Sequence, residues 1–406
     1  MKRLIPTILL AATAAVAAAG PVLAAPVDEP TLEARALLPA DASAPAPFAG
    51  LPNTDPAPAA GAVQPVGGFS ALLHGPTEDT FWAMPDNGFG SKANSRSFLL
   101  RAYLVGADFE TRHGGGGEVA LRDWITLRDP DHRIPFAIVT NGSDDRLLTG
   151  GDFDIESMRV DHRGELWFGD EFGPFLLHTD ATGRVLEAPI PLPGVKSPDY
   201  PADYPAPIAG ESNLARSNGF EGMAISPDGR TLYPVLEGPV AGDDPHVRRV
   251  HEFDIDARSY TGRSWRYEVA DPSFLVSDFT ALDAGRFVAL ERDNFQGTAA
   301  QHKQGFVAHL AGSQPSAVLA KRRVVDLLDL RDPALISLPW RPGDIGLGDP
   351  FAMPYVTIES VLPLRGDRLA IVNDTNFGST GRNPSLPDDS DFIVVRVPGL
   401  RAMRDM

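Results

Sequence analysis

Apolar residues along this chain fall in short runs, with glycine- or aspartate-bearing turns between them. The clearest pair of runs lies in Asp152–Pro174, DFDIESMRVDHRGELWFGDEFGP. It predicts two β-strands, Ile155–Val160 and Glu165–Phe168, joined by a tight turn at Asp161–Gly164. In an antiparallel hairpin the start of one strand lies beside the end of the next. Asp152, Asp154 and Glu156 are therefore expected beside Asp170 and Glu171, at the end opposite the turn.

Gly67–Gly90, Asn218–Pro239, Ser277–Asn294 and Thr357–Gly378 repeat this layout. In each copy an aromatic residue or Ile (Phe69, Ile155, Phe220, Phe279, Ile358) precedes a Ser, Glu or Thr (Ser70, Glu156, Glu221, Thr280, Glu359). A turn and a second apolar run follow, ending in an acid: Asp86, Asp170, Glu237, Glu291 or Asp374. The leading apolar residue and that acid are 17, 15, 17, 12 and 16 residues apart.

Further strands are predicted between the hairpins, at Ser97–Val105, Glu118–Leu127, His251–Asp256, Ser264–Val269, Gly305–Leu310 and Leu319–Leu327. About four strands per unit is the content of a propeller blade. The expected fold is all-β, a β-propeller of five four-stranded blades. Unit spacings of 86, 65, 59 and 79 residues also leave room for a divergent sixth. After the fifth hairpin only Asp391–Val397 remains as a strand, so the N-terminal strand Thr31–Leu38 is expected to complete the last blade and close the ring. Glu187–Asn218 and Leu330–Tyr355 are too proline-rich for central strands. They read as long surface loops that either cover a binding site or decorate an edge.

Lys2 and Arg3 precede an apolar run, Leu4–Ala19, and Val22–Ala24 offers small residues for cleavage near Ala24 or Ala25. Residues 1–25 thus read as a signal peptide, with a single membrane anchor as the alternative. Residues 26–65 form an Ala/Pro-rich lead-in and residues 66–400 the propeller. The expectation is an exported monomer, periplasmic or extracellular, with no membrane span after cleavage. With no cysteine, disulfides and thiolate chemistry are excluded. The formal charge of −18 becomes −20 once Lys2 and Arg3 are lost, which disfavours nucleic acid or an anionic membrane as partner. It suits a cation, or a ligand bridged by one.

Closing the hairpins into a ring aims the same end of each at one mouth of a channel. Glu156, Glu221 and Glu359 arrive from first-strand starts, and Asp86, Asp170, Glu171, Glu237, Glu291 and Asp374 from second-strand ends. Two carboxylates 4 Å apart repel by about 4 kcal/mol at an effective dielectric near 20. Such a cluster needs protons, basic partners or a metal, unless its acids cap turns and bond backbone amides. Hard oxygen donors are in surplus, with Asn87, Asn294, Asn373 and Asn376 nearby, which favours calcium. The candidate metal ligands are Glu156, Asp170, Glu221, Glu237, Glu359 and Asp374. The catalytic candidates are Glu171, Glu291, Arg292 and Asp86, with Glu171 or Glu291 as general base. Arg292, Arg96 or Lys92 would steady transition-state charge; for Arg292 the competing reading is an ion pair with a neighbouring acid.

Other signals are weaker. Asp152, Asp154 and Glu156 imitate the start of an EF-hand loop but lack its glycine and closing glutamate. Arg112-His113-Gly114 opens like a histidine acid phosphatase motif and then runs into glycines. GxSxG, HExxH and Walker patterns are absent from the sequence.

Taken together, LLTGGDFDIESMRVDHRGELWFGDEFGPFLLHTDATG (Leu147–Gly183), NGFEGMAISPDGRTLYPVLEG (Asn218–Gly238), ALERDNFQG, VVDLLDL, TIESV and VNDTNFG resemble the phytase-like family, "esterase-like activity of phytase". The resemblance runs from Gly67 to about Val397 and departs at Thr375, where the family pattern is closer to NDNN. It implies roles for Glu156, Asp170, Glu171, Glu221, Glu237, Glu291, Glu359 and Asp374, and a phosphoesterase activity on a small-molecule phosphate ester. A calcium-dependent lactonase or carboxylic esterase, and a non-catalytic envelope module with a structural ion, are the alternatives.

Overall fold

The computed structural model describes residues 29–46, 63–310, 314 and 316–402. The expected signal peptide at 1–25 lies outside these residues, as does much of the lead-in. Among the described residues the only helix is a single 3-10 turn at Gly297–Ala299, and no helix is long and apolar enough to cross a membrane.

Among the described residues twenty strands make five blades of four, while Ser43–Pro45 pairs with Val63–Pro65 and Glu110–Thr111 pairs with Thr31–Leu38 outside them. From the axis outward, blade one is Ala71–His74, Thr80–Met84, Arg101–Asp108 and Glu118–Thr126. Blade two is Ile155–Val160, Leu166–Asp170, Phe175–Thr179 and the short Ile190–Pro191. Blade three is Phe220–Ile225, Thr231–Leu236, Val247–Asp254 and Ser259–Glu268. Blade four is Leu275–Ala281, Arg286–Arg292, Lys303–His309 and Ala320–Asp326. Blade five is Thr357–Leu364, Arg368–Asp374, Ser390–Arg396 and, from the N-terminal end, Thr31–Leu38. The first strand of each blade lies next to the first strands of the blades on either side, so the ring closes with five. Thr31–Leu38 pairs antiparallel with Ser390–Arg396, from Thr31 opposite Arg396 to Leu38 opposite Ser390. Its Leu37 also bridges to Glu118, tying blade five to blade one.

Side chains alternate across each strand, and both faces of a blade are covered by a neighbour. Trp167 therefore packs towards blade three while Phe168 packs towards blade one. Leu369 and Ile371 face blade four, whereas Ala370 and Val372 face blade one. Five apolar clusters result, one in each gap between blades. This two-sided burial explains why second strands such as Leu166–Asp170 and Arg368–Asp374 contain the continuous apolar runs Leu166–Phe168 and Leu369–Val372.

Below the acidic end, Arg159 of blade two reaches past blade three to Asp278 of blade four, with Nη2 3.2 Å from Oδ1. Asp278 also accepts the Val361 amide of blade five at 2.8 Å. Three blades are thus tied at one buried carboxylate. Between them Gly222 of blade three lies so close that a Cβ there would come 2.4 Å from the Phe279 nitrogen. Asp278→Ala would leave the Arg159 charge buried without its partner, a loss of about 3–5 kcal/mol. The expected outcome is a lower denaturant midpoint, with Asp278→Asn losing less; equal midpoints for wild type and Asp278→Ala would contradict it.

Candidate active site

Four of the inner strands carry a β-bulge near the end opposite their turn. In blade two Ile155 faces Asp170 and Ser157 faces Gly169, leaving Glu156 as the extra residue. In blade five Ile358 faces Asn373 and Ser360 faces Val372, which leaves Glu359. In blade three Phe220 faces Leu236 and Met223 faces Pro234, so Glu221 and Gly222 share the irregularity. In blade four the extra residue is Ser277, between Val276 and Asp278. A bulge bends its strand and re-aims a side chain. Here it frees the acids from the alternation that would send them into the apolar gaps.

The bulges also correct the repeat frame in blade four. The counterpart of Ile155-Glu156 is Val276-Ser277, not Phe279-Thr280, which pair mid-strand with Ala289 and Val288. The short spacing in that repeat was a slip in its frame. Counted from these pairings, Glu291 stands where Asp170 does and Arg292 stands where Glu171, Glu237 and Asp374 do, and it is Arg292 that joins the shared cluster.

Glu156 stands at the centre of that cluster, within the fields of Glu221, Asp154, Asp86 and Glu359. Oxygens of Asp86, Asp154 and Glu156 lie within 4.8 Å of one another, and so do those of Glu156, Glu171 and Glu221. Arg292 donates from Nη2 to Glu237 Oε1 at 3.0 Å and to Glu359 Oε1 at 3.5 Å, and from Nη1 to Asn294 at 2.6 Å. Glu359 also accepts the Ser70 hydroxyl at 3.2 Å, and Glu237 the Asn218 amide at 3.2 Å. All these acids are buried.

Burial pushes Asp86 up to about 6 and Glu359 to about 7. Asp154, Glu156, Glu171, Glu221 and Asp374 rise well above the ordinary carboxyl range, through burial first and neighbouring negative charge second. Burial also raises Glu237, against the opposing charge of Arg292. For Arg292 burial disfavours the charge, but Glu237, Glu359, Glu221 and Glu156 outweigh it and raise its pKa. Several oxygens in this crowd accept no hydrogen bond among the described residues: Asp154 Oδ1, Glu171 Oε1 and Asp374 Oδ2. The donors Asn87 Nδ2 and Arg292 Nε are unpartnered as well.

Other candidates are placed differently. Asp170 accepts the Asp154 amide on one oxygen and the Gly173 amide on the other, both at 2.8 Å, which locks the end of the hairpin; burial raises it to about 7. Asp374 accepts the Thr375 amide at 2.7 Å on its other oxygen. Glu291 points away from the cluster, to the Tyr267 hydroxyl at 2.6 Å, His302 Nε2 at 3.2 Å and Lys321. Burial acts to raise its pKa, but His302 and Lys321 outweigh that and hold it below the ordinary value. Lys92 donates to the Asp199 carbonyl at 2.9 Å and lies 4.9 Å over the Phe172 ring, while Arg96 is half-buried. Asn373 bonds backbone groups and Asn376 donates to Thr357.

Asp152 accepts the Val139 and Thr149 amides and so shapes its loop. Asp154, set aside in the sequence with the EF-hand resemblance, belongs to the cluster; its place one residue before the inner strand was the available signal. The 187–218 excursion anchors behind the acids, where the Ser197 amide donates to the Gly173 carbonyl at 3.1 Å.

The cluster is made of carboxylates and lacks histidine, a donor set that fits a hard cation. Oxygens within 4.8 Å of one another are compatible with ligand distances of about 2.3–2.6 Å around a common calcium ion.

A family model described as "Phytase-like: Esterase-like activity of phytase" matches residues 64–377. An uncharacterized secreted protein of Arthroderma benhamiae is 26% identical over 305 residues, covering 58% of this chain and 58% of its own length. Among solved structures, an exo-beta-1,3-galactanase from Phanerochaete chrysosporium is 10% identical with a TM-score of 0.43, covering 87% of this chain and 64% of its own. The PQQ-bound aldose sugar dehydrogenase of Streptomyces coelicolor is 12% identical with a TM-score of 0.34, covering 78% of this chain and 75% of its own. Likenesses at that level carry no argument about activity.

Unfolded carboxyl groups titrate near pH 4, whereas Asp86, Asp170 and Glu359 in the folded chain titrate at about 6 to 7. Between these limits the folded chain holds protons that the unfolded chain has released, so stability falls as pH rises. Asp391, held near 2 by Arg35 and Arg382 against its burial, changes charge below this window, and His251, which burial lowers to about 4, opposes the trend within it but is outnumbered by the three carboxyls. In chelator, the melting temperature is expected to fall between about pH 4 and about pH 7. Calcium should restore it at the upper end. A melting temperature that climbs through this interval without calcium would refute the assignment.

Proposed function

Because this chain belongs to the phytase-like family, "esterase-like activity of phytase", we propose that it is an exported, calcium-dependent hydrolase of phosphate esters. The observation that carries the reading is the buried carboxylate cluster, with the Asp154 and Glu171 oxygens left without hydrogen-bond partners. Export is supported by the N-terminal charge and apolar pattern and by the secreted relative. The chain spans 58% of that relative's length, and the activity is proposed for this chain alone.

In this reading the cation lies among Asp86, Asp154, Glu156, Glu171 and Glu221, whose oxygens fall into two groups of three that meet at Glu156. A bound calcium supplies Lewis-acid polarisation and offsets the repulsion between an acidic rim and an anionic phosphoryl group. Glu171 takes a proton from the attacking water as the water oxygen bonds to phosphorus, and the ester oxygen leaves as the alcohol, carrying that proton. Arg292, already charged and fixed by Glu237 and Glu359, faces the developing negative charge on the phosphoryl oxygens. Glu291, occupied by Tyr267, His302 and Lys321, is left out of the chemistry.

The test is turnover of p-nitrophenyl phosphate, a phosphodiester analogue, phytate and lactones, with calcium and with chelator. Calcium-dependent phosphate release is expected, and Glu171→Gln should lower kcat by about 10²–10⁴-fold. Lactone turnover without phosphate release would move the activity to carboxylic esters. Stabilisation by calcium with no turnover would make the ion structural.

A further inference from the structure

Two acidic triads meet at one residue. Glu156 belongs both to the group with Asp86 and Asp154 and to the group with Glu171 and Glu221. It is the bulge residue of blade two, flanked by blades one and three, which supply Asp86 and Glu221. Each triad contains a carboxylate oxygen that is buried and unpartnered among the described residues: Asp154 Oδ1 in one and Glu171 Oε1 in the other. Asp154 is 3% exposed and Glu171 4%, so solvent does not relieve either group.

The remaining sector of the ring also keeps an open oxygen, Asp374 Oδ2, but it carries a cation of its own. There the guanidinium of Arg292 lies between Glu237 and Glu359. Among the described residues, no lysine or arginine makes an ion pair with Asp86, Asp154, Glu156, Glu171 or Glu221. A single divalent ion in either triad would leave the outer two carboxylates of the other triad with only protons to offset their repulsion. Buried like charges of that kind are not retained at neutral pH without compensation.

We propose that the site holds two divalent cations side by side, with Glu156 shared between them. Asp86 and Asp154 complete one position, and Glu171 and Glu221 the other. The inference rests on the cation reading above and adds the number of ions and the division of ligands. All donors are carboxylate oxygens, so calcium is the first ion to test, with manganese and magnesium as competitors. A paired site would act on both the attacking and the leaving oxygen of a phosphate ester, a task one ion does not divide.

Calcium binding to the metal-stripped purified protein, followed by calorimetry and by native mass spectrometry, gives the count directly. Two ions per chain are expected for the wild type. Asp154→Asn and Glu221→Gln should each keep one, and Glu156→Gln should weaken both, with circular dichroism checking that each variant is folded. A wild-type count of one overturns the pair but leaves the cation reading standing. A count of zero removes both. The wild-type count decides the matter even where a variant fails to fold.

Discussion

Carboxylates gathered in a buried ring repel one another, and the rest of the acidic end is arranged around that repulsion. Each close pair contributes about 4 kcal/mol at an effective dielectric near 20. Part of the load is met by backbone amides, which bond Asp86, Asp170 and Asp374. Another part is met by Arg292 between Glu237 and Glu359. What is left falls on Asp154, Glu156, Glu171 and Glu221, and on the open Oδ2 of Asp374, where neither device is enough.

The bulges make the gathering geometrically possible. A blade is covered on both faces, so a side chain at a regular strand position enters one apolar gap or the other. Trp167 and Phe168 obey this rule. Glu156, Glu221 and Glu359 escape it because the ladder skips beside them. Ser277 occupies the same kind of position in blade four, and its hydroxyl donates to the Ile358 carbonyl at 2.7 Å. That contact joins blades four and five where an acid would have added to the repulsion.

Much of this was legible in the sequence, because hairpins, blade count and closing strand follow from apolar periodicity and its repetition. The acids at strand starts could be read for the same reason. Blade four was harder: a bulge leaves no composition signature, so the register after Val276 could not be counted from the sequence. Glu291 and Arg292 are adjacent, and alternation sends them in opposite directions. A frame error is then enough to exchange a cation for an anion in the ring. Asp170 looked like its neighbour Glu171, yet Asp170 is consumed by two amides while Glu171 keeps an open oxygen. Only the fold distinguishes an acid that caps a turn from one that faces the axis.

The strand that closes blade five bears on how the ring can be made. Thr31 lies opposite Arg396, so the earliest described strand finds its partner in the last. Its Leu32 belongs to the gap between blades four and five, whereas Ala36 and Leu38 belong to the gap between blades five and one. Contacts of such long sequence separation form late, because the entropy of closing the intervening loop must be met first. Blades two, three and four are built from consecutive strands and can form as the chain is extruded. The ring itself must wait until Ser390–Arg396 can meet Thr31–Leu38, which keeps the acidic end unassembled until both strands are present.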